Sequence, residues 1–144
     1  MTSLKMSQEE REAFLADVHV GIISIEQPGR SPLTVPIWYD YTPGGEVEIV
    51  TGVGSIKEKL LSQAGRFSLC AQSEAMPYKY VSVEGPVTSS GAAGMEQDLK
   101  PMAIRYLGEE MGNQYAAGSN IEGNLLIKMK PERWLTVDYA KQFS

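Results

Sequence analysis

Short strand-like segments joined by tight turns run through most of the 144-residue chain and limit the folds open to it. They are rich in Val, Ile, Thr and aromatic residues, and they lie at 18–26, 33–41, 46–51, 67–72, 80–88, 125–129 and 134–139. Pro-Gly pairs at Pro28 and Pro43 mark the first two turns and predict an antiparallel meander of the first three strands. Because the links are short and no βαβ alternation occurs, we expect a mainly β protein, built as an antiparallel barrel.

Three segments have helical spacing instead. The first covers 7–16, where Ser7 and Glu10 have the Ser-x-x-Glu spacing of a capping box. The second covers 56–63 and places Ile56, Leu60 and Leu61 on one face. The third lies between 92 and 115 and stays helical despite Pro101. We therefore expect a few helices beside the strands.

Composition narrows the class of protein. With 42% hydrophobic residues, 144 residues suit one domain spanning 1–144. The sequence has no apolar run of the ~20 residues that a membrane helix needs and no signal segment, so we expect a soluble cytoplasmic protein. The single cysteine, Cys70, excludes an internal disulfide and a cysteine metal cluster. The net charge of -5 argues against nucleic acid as a partner.

The junction "IVTGVGSIKEKLL" (49–61) passes from a strand into a helix. Its two glycines lack the third glycine of a dinucleotide-binding loop, since position 57 is lysine, and the Walker pattern is also absent. A helix start with free N-H groups, the hydroxyls of Thr51 and Ser55, and the ammonium of Lys57 would suit one phosphate or carboxylate. The alternative is that Ser55 only caps the helix and Lys57 is a solvated residue.

Pro36 interrupts an otherwise regular strand. Proline removes a ladder donor, so it is tolerated mainly at a sheet edge or an irregularity. Such a position exposes backbone groups that a ligand could meet, although an ordinary edge strand with core aromatics is the alternative interpretation.

The order of five motifs resembles a known family. "VGIISI" (20–25), "VPIWYDY" (35–41), "EIVTGVGSIKEKLL" (48–61), "RFSLCAQ" (66–72) and "YVSVEGPV" (80–87) are similar, in order and spacing, to the pyridoxamine 5'-phosphate oxidase-like split-barrel family of flavin and deazaflavin oxidoreductases. The resemblance covers about residues 10–90. It implies a dimeric, antiparallel split β-barrel, with two cofactor sites at the interface of a homodimer.

The resemblance also implies a cofactor site. Thr51, Ser55 and Lys57 would hold the cofactor phosphate, the strand bearing Pro36 and Trp38 would run beside the ring, and the backbone of 34–37 would face the polar edge of the ring. The full implied set is Thr34, Val35, Pro36, Ile37, Trp38, Val50, Thr51, Ser55, Ile56, Lys57 and Tyr80. No side chain is assigned a catalytic role, and no metal is expected.

Departures from the family pattern bear on the substrate. Leu33 and Ile56 stand where the phosphate oxidases carry basic residues, and the C-terminal "MKPERWLTVDYAKQFS" has no Arg-His pair. The only histidine, His19, lies near the first strand and is assigned no role. We therefore expect a small organic substrate other than a pyridoxal phosphate.

Two cofactors fit the sequence. FMN presents a dianionic phosphate, for which one lysine and two hydroxyls are few partners. The deazaflavin coenzyme of the factor-420 type carries a phosphodiester and an oligoglutamate tail, which Lys57, Lys59, Arg66 and Lys79 could meet, and the sequence favours it. The predicted activity is hydride transfer between the cofactor and the substrate. The alternative is a flavin or tetrapyrrole binding or storage module without turnover.

Overall fold

The structure is a computed structural model that describes residues 3–143. These residues form seven strands: β1 (Gly21–Ile25), β2 (Leu33–Ile37), β3 (Val47–Gly52), β4 (Arg66–Ser73), β5 (Lys79–Ala92), β6 (Asn124–Met129) and β7 (Arg133–Asp138). Four α-helices accompany them: α1 (Gln8–Ala16), α2 (Ile56–Ala64), α3 (Lys100–Leu107) and α4 (Glu109–Ala117). A π-helical turn (Met95–Leu99) precedes α3, and a 3-10 turn (Tyr139–Phe143) follows β7.

All strand pairs are antiparallel, and the sheet curls into a barrel. The strand path runs β2-β1-β4-β5-β6-β3, and β7 pairs with β5. The long β5 pairs with β4 and β7 in its first half and with β6 from Val87 onward, with a register shift between Val87 and Ser89. The two ends of the path meet at a bridge between Asp40, just after β2, and Glu48 on β3. The predicted mainly β antiparallel barrel is therefore confirmed.

Alternating strand residues and two helices fill the core. Ile23, Leu69 and Val83 are fully buried on neighbouring strands, and the residues next to them in sequence lie on the other face. From α1, Leu15 is fully buried, and its carbonyl accepts a hydrogen bond of 2.7 Å from the Tyr39 hydroxyl. The capping box of α1 is present, because Ser7 and Glu10 each accept the backbone N-H of the other.

Two local predictions are wrong. The first three strands are not a meander, since β3 pairs with β6 along its whole length and meets the chain after β2 only at the Asp40 bridge. Pro36, which has no N-H to donate to a neighbouring strand, lies on the edge of β2 that β3 leaves unpaired. On α2, Leu60 and Leu61 are buried as expected, but Ile56 is 56% exposed because it stands in the first turn, at the protein surface.

The helical segment predicted between 92 and 115 is divided. Gly108, with φ of 86°, ends α3 and starts α4 in a conformation that favours glycine. Pro101 lies in the first turn of α3, directly after the π-helical turn, and the backbone stays helical through Leu99 and Lys100. Within residues 3–143, no helix has the length and apolar character required to cross a membrane.

Candidate functional site

The junction between β3 and α2 brings two predicted residues together. Ser55 is the N-cap of α2, and its hydroxyl accepts the backbone N-H of Glu58 at 3.2 Å. The same hydroxyl lies 3.2 Å from the Thr51 hydroxyl, while Thr51 itself is buried at the end of β3. The two hydroxyls therefore form a pair at the positive end of the helix dipole.

Two backbone N-H groups at the start of α2 are free to donate hydrogen bonds beside this pair. The first N-H groups of a helix have no partner within the helix, and Ser55 satisfies only that of Glu58, so those of Ile56 and Lys57 have no helical acceptor. Side chains added at Gly52 or Gly54 would meet no atom within 4 Å, so the space beside the junction is open. Gly54 has a φ of 78°, which lets the chain turn tightly into α2. The donor set and the open space fit a phosphate group.

A split between β2 and β3 runs up to this junction. If the register at Asp40 and Glu48 continued, Ile37 would lie opposite Thr51, but the two strands form no ladder there. Backbone groups in a strand alternate in direction, and those of Asp40 and Glu48 point toward each other. By that alternation, the backbone groups of Pro36 and Trp38 point into the split from the β2 side. Those of Val50 point into it from β3.

The other predicted residues of β2 line the same edge. Leu33, Val35 and Ile37 turn their side chains toward the core, whereas Thr34 and Pro36 lie exposed on the outer face. β2 pairs only with β1, in a register that places Pro36 opposite Ile22. The expectation that the Pro36 strand is an edge is therefore confirmed, and its role in binding stays a prediction.

Trp38 is packed in an aromatic cluster that the sequence did not predict. Its indole lies parallel to the ring of Tyr106 at 5.0 Å between centroids, and at 5.5 Å from that of Tyr115. Tyr106 comes from α3 and Tyr115 from α4, so both helices close the end of β2. Trp38 is half-buried, and 47% of Tyr115 is exposed. An aromatic residue in each of two adjacent helical segments was the available signal, but the sequence does not show which strand they meet.

The Tyr106 hydroxyl takes the place of a backbone-to-backbone hydrogen bond between the ends of β1 and β2. It donates to the carbonyl of His19 at 2.6 Å or of Tyr39 at 3.0 Å, and it accepts the Tyr39 N-H at 3.0 Å. Continuing the register beyond Gly21 and Ile37 would pair His19 with Tyr39, so the hydroxyl sits where the strands separate. Burial raises the pKa of Tyr106, which keeps the hydroxyl protonated and able to donate.

Arg105, beside Tyr106 on α3, ties the same region to α1. Its guanidinium donates to the carbonyls of Ala16 and Asp17 at 3.0 and 2.9 Å and lies 3.6 Å from the Asp40 carboxylate. The cation also stands over the Tyr39 ring at 5.4 Å. These contacts hold the chain rigidly where it leaves β2.

Tyr80 lies apart from the junction. It is on β5, opposite Gln72 of β4 and Val137 of β7, with its half-buried side chain on the face away from the core. Within one chain, the structure does not bring Tyr80 to the Thr51-Ser55 pair. Its assignment to the cofactor stays a prediction.

The four basic residues that were expected to meet an acidic cofactor tail, three lysines and one arginine, are in different environments. Arg66 already pairs with Glu84 at 3.4 Å and with Glu132 at 3.3 Å. Lys79 lines a cavity with Asp138, away from α2. Lys57 and Lys59 both stand on α2, and neither forms an ion pair with the residues that the structure describes. Of these four residues, Lys57 and Lys59 are therefore the two that stand on α2 without an ion pair to a described residue.

Titratable groups elsewhere offer no acid-base pair at the junction. His19 stacks on Phe14 at 4.4 Å, and burial lowers its pKa from the ordinary value of 6.5. Burial also raises the pKa of the Cys70 thiol. Among residues 3–143, no group of His, Cys, Asp and Glu side chains could hold a metal ion. The geometry suits binding of an anionic cofactor better than side-chain chemistry.

Solved structures with the same fold identify the architecture. A conserved hypothetical protein from Mycobacterium tuberculosis superposes with a TM-score of 0.78 at 19% identity, over 98% of this chain and 90% of that one. An F420 reductase superposes with a TM-score of 0.73 at 16% identity, over 86% and 94% of the two chains. A proposed pyridoxamine 5'-phosphate oxidase from Listeria innocua gives 0.66 at 12% identity, over 90% and 96%.

These likenesses concern the fold. No protein-family profile matches the sequence, and no curated protein matches it. The curled antiparallel sheet, its helices and the split beside β2 are those of a split β-barrel. The chain has the fold of the pyridoxamine 5'-phosphate oxidase-like split-barrel proteins.

Proposed function

We propose that the protein is an oxidoreductase that transfers a hydride between a bound flavin-type cofactor and a small organic substrate. The observation that carries this proposal is the pair of hydroxyls of Thr51 and Ser55, 3.2 Å apart at the start of α2, with Lys57 in its first turn. Hydroxyls, N-H groups and one cation at a helix start form a binding site for one phosphate. The bound cofactor would supply the hydride chemistry.

The protein's own residues would bind and orient that cofactor. The cofactor phosphate would bind at Ser55. From there the split leads toward the backbone groups of Pro36 and Trp38, which point into it. Backbone groups on an edge strand can hydrogen-bond the polar edge of a planar ring without the side chains having to change. The cluster of Trp38, Tyr106 and Tyr115 would wall off water at the far end of the split.

The deazaflavin coenzyme of the factor-420 type suits the donor set better than FMN does. A single lysine and two hydroxyls match the one negative charge of a phosphodiester, whereas a terminal phosphate carries up to two. The fold similarity to an F420 reductase is consistent with this choice. Because Arg66 is already paired with two carboxylates, Lys59 is the cation best placed to meet the acidic tail.

We further propose that the active form is a homodimer. One row of outward residues crosses five strands of the barrel without a charged side chain, and it contains Pro36, Ile22, Cys70, Ser82 and Leu135. In this row Ile22 is 38% exposed and Leu135 is 63% exposed. An apolar band of this kind favours a second copy, with a specific interface of at least ~1,200 Å².

Ligand identification tests the function. We expect mass spectrometry of the small molecules released from purified protein, followed by titration with both cofactors, to give tighter binding of the deazaflavin than of FMN. Reduced cofactor should then be reoxidised by a suitable electron acceptor in the presence of the protein. Failure of both cofactors to bind at roughly 100 μM would overturn the proposal, and tight binding without any hydride transfer would favour the storage module.

Sedimentation velocity tests the dimer. A dimer is expected at micromolar concentration, and Leu135→Arg should convert it to monomer because a charge would be buried without a partner. Met111→Arg is the control for the added charge, since Met111 is 59% exposed on α4 and does not belong to the apolar row. A wild-type monomer, or equal dissociation in both variants, would contradict the proposed interface.

A further inference from the structure

A cavity lies near the start of β3, at the opposite end of that strand from the junction. It has a volume of about 240 Å³ and is walled by α1, the turn before β3 and the turn between β6 and β7. The turn before β3 and the Thr51 end of β3 are separated by about six residues, or roughly 20 Å along an extended strand. The cavity is therefore independent of the proposed cofactor site, and we call it the α1 pocket. Its wall includes Arg11, Tyr41, Gly44, Lys130, Pro131 and Trp134.

Arg11 gives the α1 pocket an unpaired cation. Its guanidinium carbon lies 4.6 Å from the centre of the Trp134 ring, whose edge-on contact with Tyr41 at 6.2 Å fixes the indole. The Nε atom of Arg11 is buried and has no hydrogen-bond partner. Within residues 3–143, the Arg11 side chain forms no ion pair. A partly buried cation without an anion is costly, so a bound anion would be stabilising here.

Lys130 adds a second cation to the same wall. It is exposed at the β6-β7 turn and has no ion pair with the part of the chain that the structure describes. Glu12 is the carboxylate in the wall, so the α1 pocket carries two positive charges and one negative charge. This local excess of one positive charge stands in a chain whose net charge is -5. An excess of one matches a monoanion better than a dianion.

The surfaces and volume of the α1 pocket limit the chemistry and size of the uncharged part of the ligand. Trp134 and Pro131 offer mainly apolar surface beside the two cations, while Tyr41 is buried and packs edge-on against the indole. The N-H groups of the turn are already used, because Gly44 donates to the Tyr41 hydroxyl and Gly45 donates to the carbonyl of Thr42. The charged side chains would therefore supply the hydrogen bonds. The volume lies below the ~300–1,000 Å³ of sites for drug-sized ligands.

We propose that the α1 pocket binds a small planar monocarboxylate, with its carboxylate between Arg11 and Lys130 and its apolar body against Trp134. The planar guanidinium of Arg11 matches a carboxylate geometrically and can form a charge-assisted pair with it, and the exposed Lys130 adds a weaker attraction. The site would join α1 to both turns, so an occupied pocket should also resist thermal unfolding.

Benzoate is the probe, and benzamide, which has the same shape without the charge, is its control. In nitrogen-proton correlation spectra we expect benzoate to shift the Trp134 indole and the Gly44 and Gly45 amides saturably, while the Trp38 indole stays unchanged. Benzamide should bind at least tenfold more weakly. No saturable shift up to about 20 mM benzoate, or equal shifts with benzamide, would overturn the proposal.

Charge-removing variants locate the carboxylate. Arg11→Gln should weaken benzoate binding about tenfold to a hundredfold, whereas Lys130→Gln, which removes an exposed charge, should weaken it about threefold to fivefold. Arg30→Gln, in the exposed turn between β1 and β2, removes the same charge elsewhere and should leave the affinity within twofold. Lys130 is exposed, so its variant should keep the fold and tests the site even if Arg11→Gln unfolds. Equal weakening in Arg30→Gln and Lys130→Gln would contradict a specific pocket.

Discussion

The indole of Trp38 lies parallel to the phenol ring of Tyr106, with 5.0 Å between their centroids and 5° between their planes. This contact joins the end of β2, where the backbone turns into the split, to the helix α3. The two rings therefore belong both to the packing of α3 and to the border of the candidate cofactor site. Substitutions that separate the two roles can distinguish them.

Trp38→Ala and Tyr106→Phe form such a pair. Tyr106→Phe keeps the stacked ring but removes the hydroxyl that joins His19 to Tyr39, so it should lower the free energy of unfolding by about 1–3 kcal/mol and leave cofactor affinity unchanged. Trp38→Ala should weaken cofactor binding more than Tyr106→Phe does. Denaturant unfolding and cofactor titration measure the two effects. A large loss of stability in Trp38→Ala with unchanged affinity would make Trp38 a packing residue only.

The features that the sequence predicted correctly depend on residues close together in the chain. The Ser7-Glu10 capping box, the Ser55 cap and the Pro28 and Pro43 turns each depend on residues within four positions, and all of them are present. The short links between strands are also a local feature, and they exclude a parallel sheet because parallel pairs need long crossover links.

The split between β2 and β3 depends on contacts distant in sequence. β3 pairs with β6, which follows it by about 70 residues, and the Tyr106 hydroxyl reaches Tyr39 across 67 residues. No local pattern specifies either partner. The same limit applies to Trp38, for which the sequence indicated an aromatic at an edge but not the two helices against it.

Gly85 has a packing role that a substitution can test. A Cβ at this buried position of β5 would overlap the backbone carbonyl oxygen of Lys130 and lie 3.2 Å from the sulfur of Met129. Because the overlapping atom is backbone, Gly85→Ala should destabilise the protein at or above the upper end of ~1–3 kcal/mol. Gly91→Ala is the control on the same strand, since its Cβ would meet no atom within 4 Å. Equal midpoints of denaturation in the two variants would contradict this close approach.

His19 should make stability depend on pH. Burial lowers its pKa below 6.5, so between the folded and unfolded pKa values the unfolded chain binds a proton that the native state does not. The stabilisation present above about pH 6.5 is therefore lost as the pH falls through the folded pKa. We expect the difference in unfolding free energy between wild type and His19→Asn to shrink from pH 7.5 to pH 5. As the chain's single histidine, His19 also gives one imidazole proton signal, and a titration midpoint above 6.5 would refute this prediction.

Lys57 tests the phosphate site at the start of α2. It stands in the first turn without an ion pair to a described residue, so Lys57→Ala should leave the fold intact. Loss of a charge-assisted hydrogen bond of roughly 1.5–3 kcal/mol should lower cofactor affinity about tenfold to a hundredfold. Added salt should weaken the wild type more than the variant, because screening acts on a charge that the variant lacks. Fluorescence titration at two ionic strengths measures both effects.

Lys59 is the matched control for Lys57 and also tests the choice of cofactor. Two residues apart on a helix, the lysines point to different faces, so Lys59 cannot reach the same phosphate. Lys59→Ala should leave FMN affinity unchanged, whereas a deazaflavin with several tail glutamates should lose modest affinity because its tail extends past the first turn. Equal losses for both cofactors in Lys59→Ala would argue against the tail contact. If both variants bind both cofactors within twofold of wild type, then Thr51, Ser55 and Lys57 form a turn and a helix cap without a phosphate site.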